Sequence, residues 1–325
     1  MLLVSLSHVH KAMSSSRTLL NAAISAGTRT KYIRALGNFL NWADAMKLDP
    51  ITWQELDECV VDYLHALWQS KGSTKAGKAE GNELFKALNF FLYGCAGNLA
   101  STSKTLRGWT KLAPSTPWPP ITWPLCVAIA IKMASCGFPA QGMACLLQFD
   151  CLMRISEVTS LTVGNVGFPG DARLAEETKQ VLIRFPKTKT GSEQSVKIED
   201  PAVAVLLQTL ATEAKGDDTK LFPFSSDSYR KLFRKVCKSL GLSDRYVPHS
   251  CRHGGATRMY QRNPLSIEAI MARGRWASSK SARHYIQQGP ALLLSVKAPP
   301  DVAKAGTLFA ADLVQSFKLA QEQKH

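Results

Sequence analysis

Five residues whose side chains suit phosphate chemistry, and one glutamate beside them, occur as three closely spaced pairs between positions 154 and 285. The pairs are Arg154 and Glu157, three positions apart, His249 and Arg252, three apart, and Trp276 and Tyr285, nine apart. Guanidinium groups stay charged and can bond two phosphate oxygens at once. An indole N–H only donates, and a phenol can attack phosphorus and remain attached to it. These residue types are suited to hold and cleave one phosphodiester.

Three stretches around these pairs resemble the tyrosine recombinase (phage integrase) family, and within it the Cre-like members. The stretches are LLQFDCLMRISEVTSLTVGNV from Leu146 to Val166, FPKTKTGSEQSVKI from Phe185 to Ile198, and VPHSCRHGGATRMYQRNPLSIEAIMARGRWASSKSARHYI from Val247 to Ile286. They cover most of the region 121–288, whereas the N-terminal third matches only in its general helical character. Their order, with the Trp-to-Tyr interval intact, is far more specific than an isolated His-x-x-Arg.

The resemblance implies a role for each residue that would contact DNA. Tyr285 would be the nucleophile and would carry a 3′-phosphotyrosyl intermediate. Arg154 and Arg252 would clamp the scissile phosphate and stabilise charge in the transition state. His249 would bond the phosphate or help to move the tyrosine proton, and Trp276 would donate its N–H to a phosphate oxygen.

Two further residues have supporting roles in this resemblance. Glu157 would orient the active site from behind the arginines, although a simple helical ion pair with Arg154 is the alternative. The Lys-Thr-Gly run resembles the hairpin turn that carries the family's catalytic lysine, which favours Lys189 over Lys187 as the general acid. Without the resemblance, either lysine would be interpreted as an ordinary surface residue.

The composition predicts a polyanionic partner. The 325 residues include 40 Lys and Arg against 25 Asp and Glu, which gives a formal net charge of +15 and a pI of about 9.5. Basic proteins gain affinity for nucleic acids because each neutralised phosphate releases a counterion. Charge alone does not exclude a basic protein with no such role, so double-stranded DNA is the expected partner on the resemblance.

No cofactor, metal or membrane is expected from the sequence. The chain has no Gly-x-x-x-x-Gly-Lys-Ser/Thr loop and no dense group of carboxylates to hold magnesium. Its eight cysteines include no Cys-x-x-Cys pair, so they are expected to be buried reduced thiols and not zinc ligands. The longest apolar stretch ends at Lys132, far short of membrane-spanning length.

The chain is expected to form two domains. Four prolines in eight residues predict a linker over 113–120, between a helical core DNA-binding domain at 1–112 and a catalytic domain at 121–325 that ends in a C-terminal helix. Apart from a predicted β-hairpin with strands at 181–185 and 195–198, all segments read as helical. The fold class is therefore mainly α with a small antiparallel sheet, and the resemblance implies a C-shaped clamp on DNA.

Three residues of the first domain are predicted helix caps. Thr28 is expected to cap a helix whose apolar face includes Leu36 and Phe39. Thr52-x-x-Glu55 is a capping-box pattern, and Ser73 is expected to cap the helix that follows.

Two amphipathic segments are candidates for contact with DNA or with another copy of the chain. The predicted helix from Ser225 to Leu240 has a basic face that suits either DNA contact or simple solvation. The apolar tail after Pro299, with Asp301 as its predicted cap, could pack on its own domain or on a neighbour, and the resemblance favours the neighbour. A homotetramer on two DNA sites, monomeric in free solution, is the corresponding assembly.

The sequence thus predicts a site-specific DNA recombinase that integrates, excises or resolves DNA. A type IB topoisomerase-like nicking-closing enzyme shares the chemistry and is the first alternative. The second is a DNA-binding derivative of a recombinase that has lost catalysis, although no catalytic residue is missing here. Localisation would be cytoplasmic, at the nucleoid, for a prokaryotic or phage protein and nuclear for a eukaryotic one.

Overall fold

The chain folds into two compact units, Met1–Thr116 and Pro117–His325. The computed structural model describes residues 18–72, 74–114, 118–175, 177–188, 191–263, 267–286 and 298–323. Each unit has its own hydrophobic core. The predicted domain limits, and the role of the first unit in binding DNA, remain predictions.

The described part of the first unit is helical. Its helices are α1 (Thr18–Ala22), α2 (Ala26–Ala45), α3 (Trp53–Lys71), α4 (Lys75–Phe91) and α5 (Ala100–Leu112). Helix α2 packs on α4, and α3 packs on α5. The apolar side chains of Leu36, Phe39, Leu64 and Leu88 are fully buried between them, as expected for helices with one apolar stripe.

Helix starts in this unit follow the usual capping chemistry. The capping box predicted at Thr52 is confirmed. The predicted cap Thr28 is wrong, because Ser25 caps α2 by accepting a bond from the Thr28 backbone N–H at 3.2 Å. Helix α4 is capped by Thr74, and the predicted cap Ser73 lies outside the described residues.

The second unit is mostly helical with one small sheet, which confirms the predicted fold class. Its helices are α6 (Trp123–Ser135), α7 (Pro139–Asp150), α8 (Ile155–Thr159), α9 (Pro201–Thr212), α10 (Ser226–Ser239), α11 (Pro248–Arg262), α12 (Ile267–Gly274), α13 (Ser279–Tyr285), α14 (Pro300–Ala311) and α15 (Leu313–Glu322). The mostly apolar helices α6 and α7 form the centre of the core, and α11 packs on α7. Within the described ranges, no helix is long and apolar enough to cross a membrane.

The sheet has three antiparallel strands, β1 (Val166–Gly167), β2 (Leu182–Thr188) and β3 (Gly191–Lys197), in that order. The predicted hairpin is confirmed, but its strands extend further towards the turn than the sequence indicated. Strand β1, which pairs Val166 with Ile183, was not predicted because two residues are too few to show alternation. Residues 189 and 190 of the turn lie outside the described ranges.

The C-terminal tail forms two helices that pack on their own unit. Helices α14 and α15 both contact α6, and Leu313 and Phe317 are buried there. The approach is close: a Cβ on Gly306 would lie 2.1 Å from the Pro124 carbonyl oxygen. The expectation that the whole apolar face docks on a neighbour is therefore wrong for these two side chains. Asp301 lies in the first turn of α14 and does not cap it.

Three cysteines that are far apart in sequence meet in the core. The Sγ of Cys145 lies 3.5 Å from that of Cys126 and 3.5 Å from that of Cys251, and all three side chains are buried. The expectation that the cysteines are not zinc ligands rested on local spacing, which cannot show thiols contributed by three helices. Soft ions take thiolate ligands of this kind, and the separations also match sulfurs in simple contact. Cys136, in contrast to the expected burial, is exposed.

Candidate active site

The Arg154 segment is a tight connection between α7 and α8. Leu152 adopts a left-handed conformation with a φ of 50°, which reverses the chain directly after α7 and precedes Arg154 at the N-cap of α8. The Glu157 carboxylate accepts the Arg154 backbone N–H at 2.8 Å and its Nη1–H at 2.5 Å. Arg154 is thus held by both its backbone and its side chain, and the ion pair that the sequence left as an alternative is present.

Arg252 lies one helical turn after His249 on α11 and is fully buried. Its Nη1 donates to the Leu152 carbonyl, and its Nη2 donates to the Gly274 carbonyl at 2.5 Å. Its Nε has no hydrogen-bond partner among the described residues. Burial, and then the charge on Arg154, lower the pKa of Arg252 to about 9, so the guanidinium remains charged near neutral pH.

His249 and Tyr285 come from α11 and α13 and meet side chain to side chain. The His249 Nε2 lies 3.1 Å from the Tyr285 hydroxyl. Burial, and then the charges on Arg252 and Arg154, lower the pKa of His249 to about 4. The imidazole is therefore neutral near pH 7 and has one nitrogen able to accept a proton.

Aromatic rings surround the Tyr285 phenol. The His253 ring stacks on it with centroids 4.5 Å apart, and the Trp276 ring lies 4.7 Å away at 37°. The Arg252 guanidinium lies 4.5 Å from the centre of the Trp276 ring. The indole N–H of Trp276 is buried and, in the part of the chain that the structure describes, has no hydrogen-bond partner.

Glu157 is the anionic centre of this cluster. Besides Arg154, it accepts a bond from Arg275 Nη2 at 2.8 Å and lies 4.0 Å from Arg252. Burial raises the pKa of the Glu157 carboxyl, and the charges on Arg275, Arg154 and Arg252 outweigh it, so its pKa is lowered. A buried carboxylate among three guanidinium groups stays ionised and fixes their positions.

Two residues of the cluster were not predicted from the sequence. His253 follows Arg252 directly, and its stacking on Tyr285 depends on the path of a distant helix. Arg275 precedes Trp276 directly and is buried, with contacts to Glu157 and to the Leu152 carbonyl. Arg275 could have been found from the sequence, because a charged residue directly beside the predicted catalytic indole is itself a candidate for the site.

Both candidate lysines belong to the hairpin stretch from Phe185 to Ile198. Lys189 lies outside the described residues. The backbone of Lys187 belongs to β2 and pairs with Ser192 of β3. The hairpin is tied to the site through Phe185, whose ring centre lies 4.5 Å from the Arg275 guanidinium. The role of either lysine therefore stays a prediction.

The family model described as "Phage integrase family" matches residues 130–291, a range that contains all the predicted site residues. The chain belongs to the phage integrase family. The match includes Arg154 and Tyr285 and the hairpin between them. No curated protein sequence gives a significant match to this chain.

Solved structures of integrases share the fold. A lambda integrase dimer bound to a COC' core site aligns with a TM-score of 0.57 and 15% identity, covering 88% of this chain and 78% of that one. The Tn1549 transposon integrase in complex with transposon right end DNA aligns with a TM-score of 0.58 and 13% identity, covering 95% and 100%. At such low identity the likeness concerns the fold, and the residue roles rest on the geometry of this chain.

Proposed function

We propose that this phage integrase family member is a site-specific DNA recombinase that breaks and rejoins DNA through a 3′-phosphotyrosyl bond at Tyr285. The observation that carries the proposal is the contact between the Tyr285 hydroxyl and a neutral His249, which lie 3.1 Å apart. Beside them are two buried N–H donors, from Arg252 and Trp276, that have no hydrogen-bond partner among the described residues. Buried donors without partners are costly, and a bound phosphate would satisfy them.

In this mechanism the bonds and protons balance without hydrolysis. The Tyr285 hydroxyl passes its proton to His249, and the phenolate oxygen attacks phosphorus. The bond from phosphorus to the 5′-oxygen breaks, and Lys189 supplies the proton that the leaving oxygen takes. Rejoining is the reverse reaction with a new 5′-hydroxyl, so the energy of the broken bond is kept in the phosphotyrosyl link.

Charge stabilisation would come from donors that are already fixed. Arg154 and Arg252 supply positive charge to the non-bridging oxygens, and the Trp276 N–H supplies a neutral donor. Because Glu157 and two backbone carbonyls hold these arginines before DNA binds, little reorganisation is needed in the transition state. Trp276 cannot shuttle a proton, so proton transfer falls to His249 and Lys189.

The proposed partner is double-stranded DNA, bound by a homotetramer on two sites that is monomeric in free solution. The formal charge of +15 supports a DNA partner. So does the outer face of α10, where five exposed basic side chains lie opposite the buried Phe233; they are Arg230, Lys231, Arg234, Lys235 and Lys238. A C-shaped clamp made by the two units is the arrangement that we propose on DNA.

Trapping the covalent intermediate tests this function. A nicked substrate that loses a short 5′ fragment after cleavage should accumulate a protein–DNA adduct with the wild-type protein. Tyr285→Phe should give no adduct while binding DNA normally, because only the attacking oxygen is removed. Tyr260→Phe is the matched control, since Tyr260 packs in the same small cluster as Tyr285. An adduct with Tyr285→Phe, or none with the wild type, would refute the proposal.

A second measurement separates a recombinase from a topoisomerase-like enzyme. Linear DNA carrying two target sites cannot be relaxed, so only strand exchange changes its products. Recombinant fragments of the expected lengths would support the recombinase. Adduct formation and plasmid relaxation without recombinant fragments would favour the nicking-closing alternative.

A further inference from the structure

Arg275 connects three segments of the candidate site. Its Nη2 donates to the Glu157 carboxylate at 2.8 Å and to the Leu152 carbonyl at 3.1 Å. Its guanidinium also lies over the Phe185 ring of β2, 4.5 Å from the ring centre. In the chain it is the residue directly before Trp276. One side chain therefore links the start of α8, the hairpin and the turn that carries the indole.

Arg275 also shares two of its acceptors with the predicted phosphate clamp. Glu157 holds Arg154 through two hydrogen bonds, and the Leu152 carbonyl accepts Arg252 as well as Arg275. A shift of Arg275 would consequently be transmitted to both clamping arginines. The Arg275 side chain is itself buried, and both of its terminal nitrogens donate to protein oxygens.

The backbone at Arg275 adopts a conformation that is unusual for arginine. Its φ of 55° lies in the left-handed region, where glycine is favoured and arginine is not. Leu152, which provides the shared carbonyl, has the same unusual conformation with a φ of 50°. Two such residues joined by a hydrogen bond indicate a locally constrained arrangement.

We infer that Arg275 is a positioning residue that sets the Arg154 and Arg252 phosphate clamp through Glu157 and the Leu152 carbonyl. The inference rests on the proposed function and adds a member to the site that does not contact the substrate. Lysine cannot replace it, because an ammonium group is a single point of charge and cannot bond Glu157 and the carbonyl in the geometry of a planar fork.

The experiment measures single-turnover cleavage of the nicked substrate at saturating protein, together with DNA affinity and thermal stability. Arg275→Gly removes the side chain while relieving the backbone, and Arg275→Lys keeps the charge. The matched control is Arg273→Lys: Arg273 is two residues away, equally buried, and paired with Asp150 and Glu199 instead of Glu157. The single variant Glu157→Gln and the double variant Arg275→Gly with Glu157→Gln test whether the two residues act together.

We expect both Arg275 variants to cleave about 10–100-fold more slowly, a loss typical of residues that orient catalytic groups. DNA affinity should stay within about threefold, because no contact with DNA is lost. Arg273→Lys should keep the wild-type cleavage rate even if it lowers thermal stability. The double variant should be no slower than the slower single variant, since residues acting through one another are not additive.

Each contrary result has a distinct meaning. Wild-type protein that forms no adduct would refute the proposed function, and the positioning role with it. An active wild type with equally active Arg275 variants would refute the positioning role alone. The same applies if Arg273→Lys loses as much rate as Arg275→Lys, which would indicate general destabilisation. Multiplying losses in the double variant would refute the route through Glu157.

Discussion

The His249 imidazole and the Tyr285 hydroxyl lie 3.1 Å apart, although the two residues are 36 positions apart in the chain. Helix α11 places the imidazole, and α13 ends at the tyrosine. Thr257 of α11 donates to the Tyr285 carbonyl at 3.2 Å, which fixes the end of α13 against α11. The proposed base and nucleophile are thus held by the packing of two helices, and the half-buried imidazole is neutral.

Stability should fall on acidification because of this burial. Burial, and then neighbouring charges, lower the pKa of His249 from 6.5 to about 4 and that of His253 to about 3. A histidine whose pKa is lowered by folding binds more protons in the unfolded state than in the folded state. Its contribution to folding stability is therefore complete above pH 6.5 and is lost as the pH falls towards 4. For His249 we expect a loss of about 2–3 kcal/mol in the free energy of unfolding.

Chemical denaturation at several pH values between 6.5 and 4 provides the measurement. His249→Gln should reduce the dependence on pH. The exposed His65 is the control, and His65→Gln should leave the dependence unchanged. A wild-type protein with constant stability over this range would show that folding does not lower the pKa of these two histidines.

The general acid can be assigned with a chemically altered leaving group. We expect Lys189→Ala to slow cleavage far more than Lys187→Ala, because the leaving 5′-oxygen needs a proton. A 5′-bridging phosphorothiolate leaves as a thiolate that needs none, so it should restore cleavage by the Lys189 variant. Equal defects in the two variants, without restoration, would reduce both lysines to phosphate contacts.

The sequence predicted well what depends on local pattern. The apolar stripe of α2, the capping box at Thr52 and the hairpin all follow from side-chain periodicity and local hydrogen bonding. The family resemblance pointed to side chains that the structure brings together, such as His249 and Tyr285. It did so because the motif preserves spacing within each stretch.

What the sequence could not show depends on contacts between distant segments. Arg275 and the Leu152 carbonyl are 123 positions apart, and their hydrogen bond follows from left-handed turns that no local pattern in the sequence marks. The meeting of Cys126 with Cys145 likewise requires the packing of α6 on α7. For the same reason, the sequence could not decide whether the tail packs on its own unit or on a neighbouring copy of the chain.

Close packing beneath the site should make one glycine of α11 indispensable. A Cβ on Gly255 would lie 2.0 Å from the Phe149 carbonyl oxygen and 2.6 Å from the Leu152 side chain. Gly255→Ala must therefore push α11, with the proposed catalytic residues His249 and Arg252, away from α7. We expect a loss of about 1–3 kcal/mol in unfolding free energy and slower cleavage.

The control for this substitution lies in the other unit. Gly37 is inside α2, and a Cβ there would meet no atom within 4 Å. Gly37→Ala should stabilise its helix by up to about 1 kcal/mol and leave cleavage unchanged. Thermal unfolding and single-turnover cleavage of both variants decide the matter, and equal behaviour of the two would contradict the close approach at Gly255.

The two sides of the tail should respond differently to substitution, since one is buried and the other is not. Leu313 and Phe317 are 2% and 4% exposed in their own unit, whereas Leu308 and Leu319 are 64% and 47% exposed. We expect Phe317→Ala to cost about 3–5 kcal/mol of unfolding free energy. Leu308→Ser and Leu319→Ser should change it by no more than about 0.5 kcal/mol.

Assembly on DNA should depend on the exposed side chains of the tail more than on the buried ones, because only exposed side chains are available to a second copy of the chain. The double variant Leu308→Ser with Leu319→Ser should bind one half-site normally and form less of the four-subunit complex on two-site DNA. Cutting the chain before Pro299 is a poorer test, since it also removes Phe317 from the core. Gel-shift and light-scattering measurements on the double variant are decisive. Undiminished tetramer formation would show that this face of the tail takes no part in assembly.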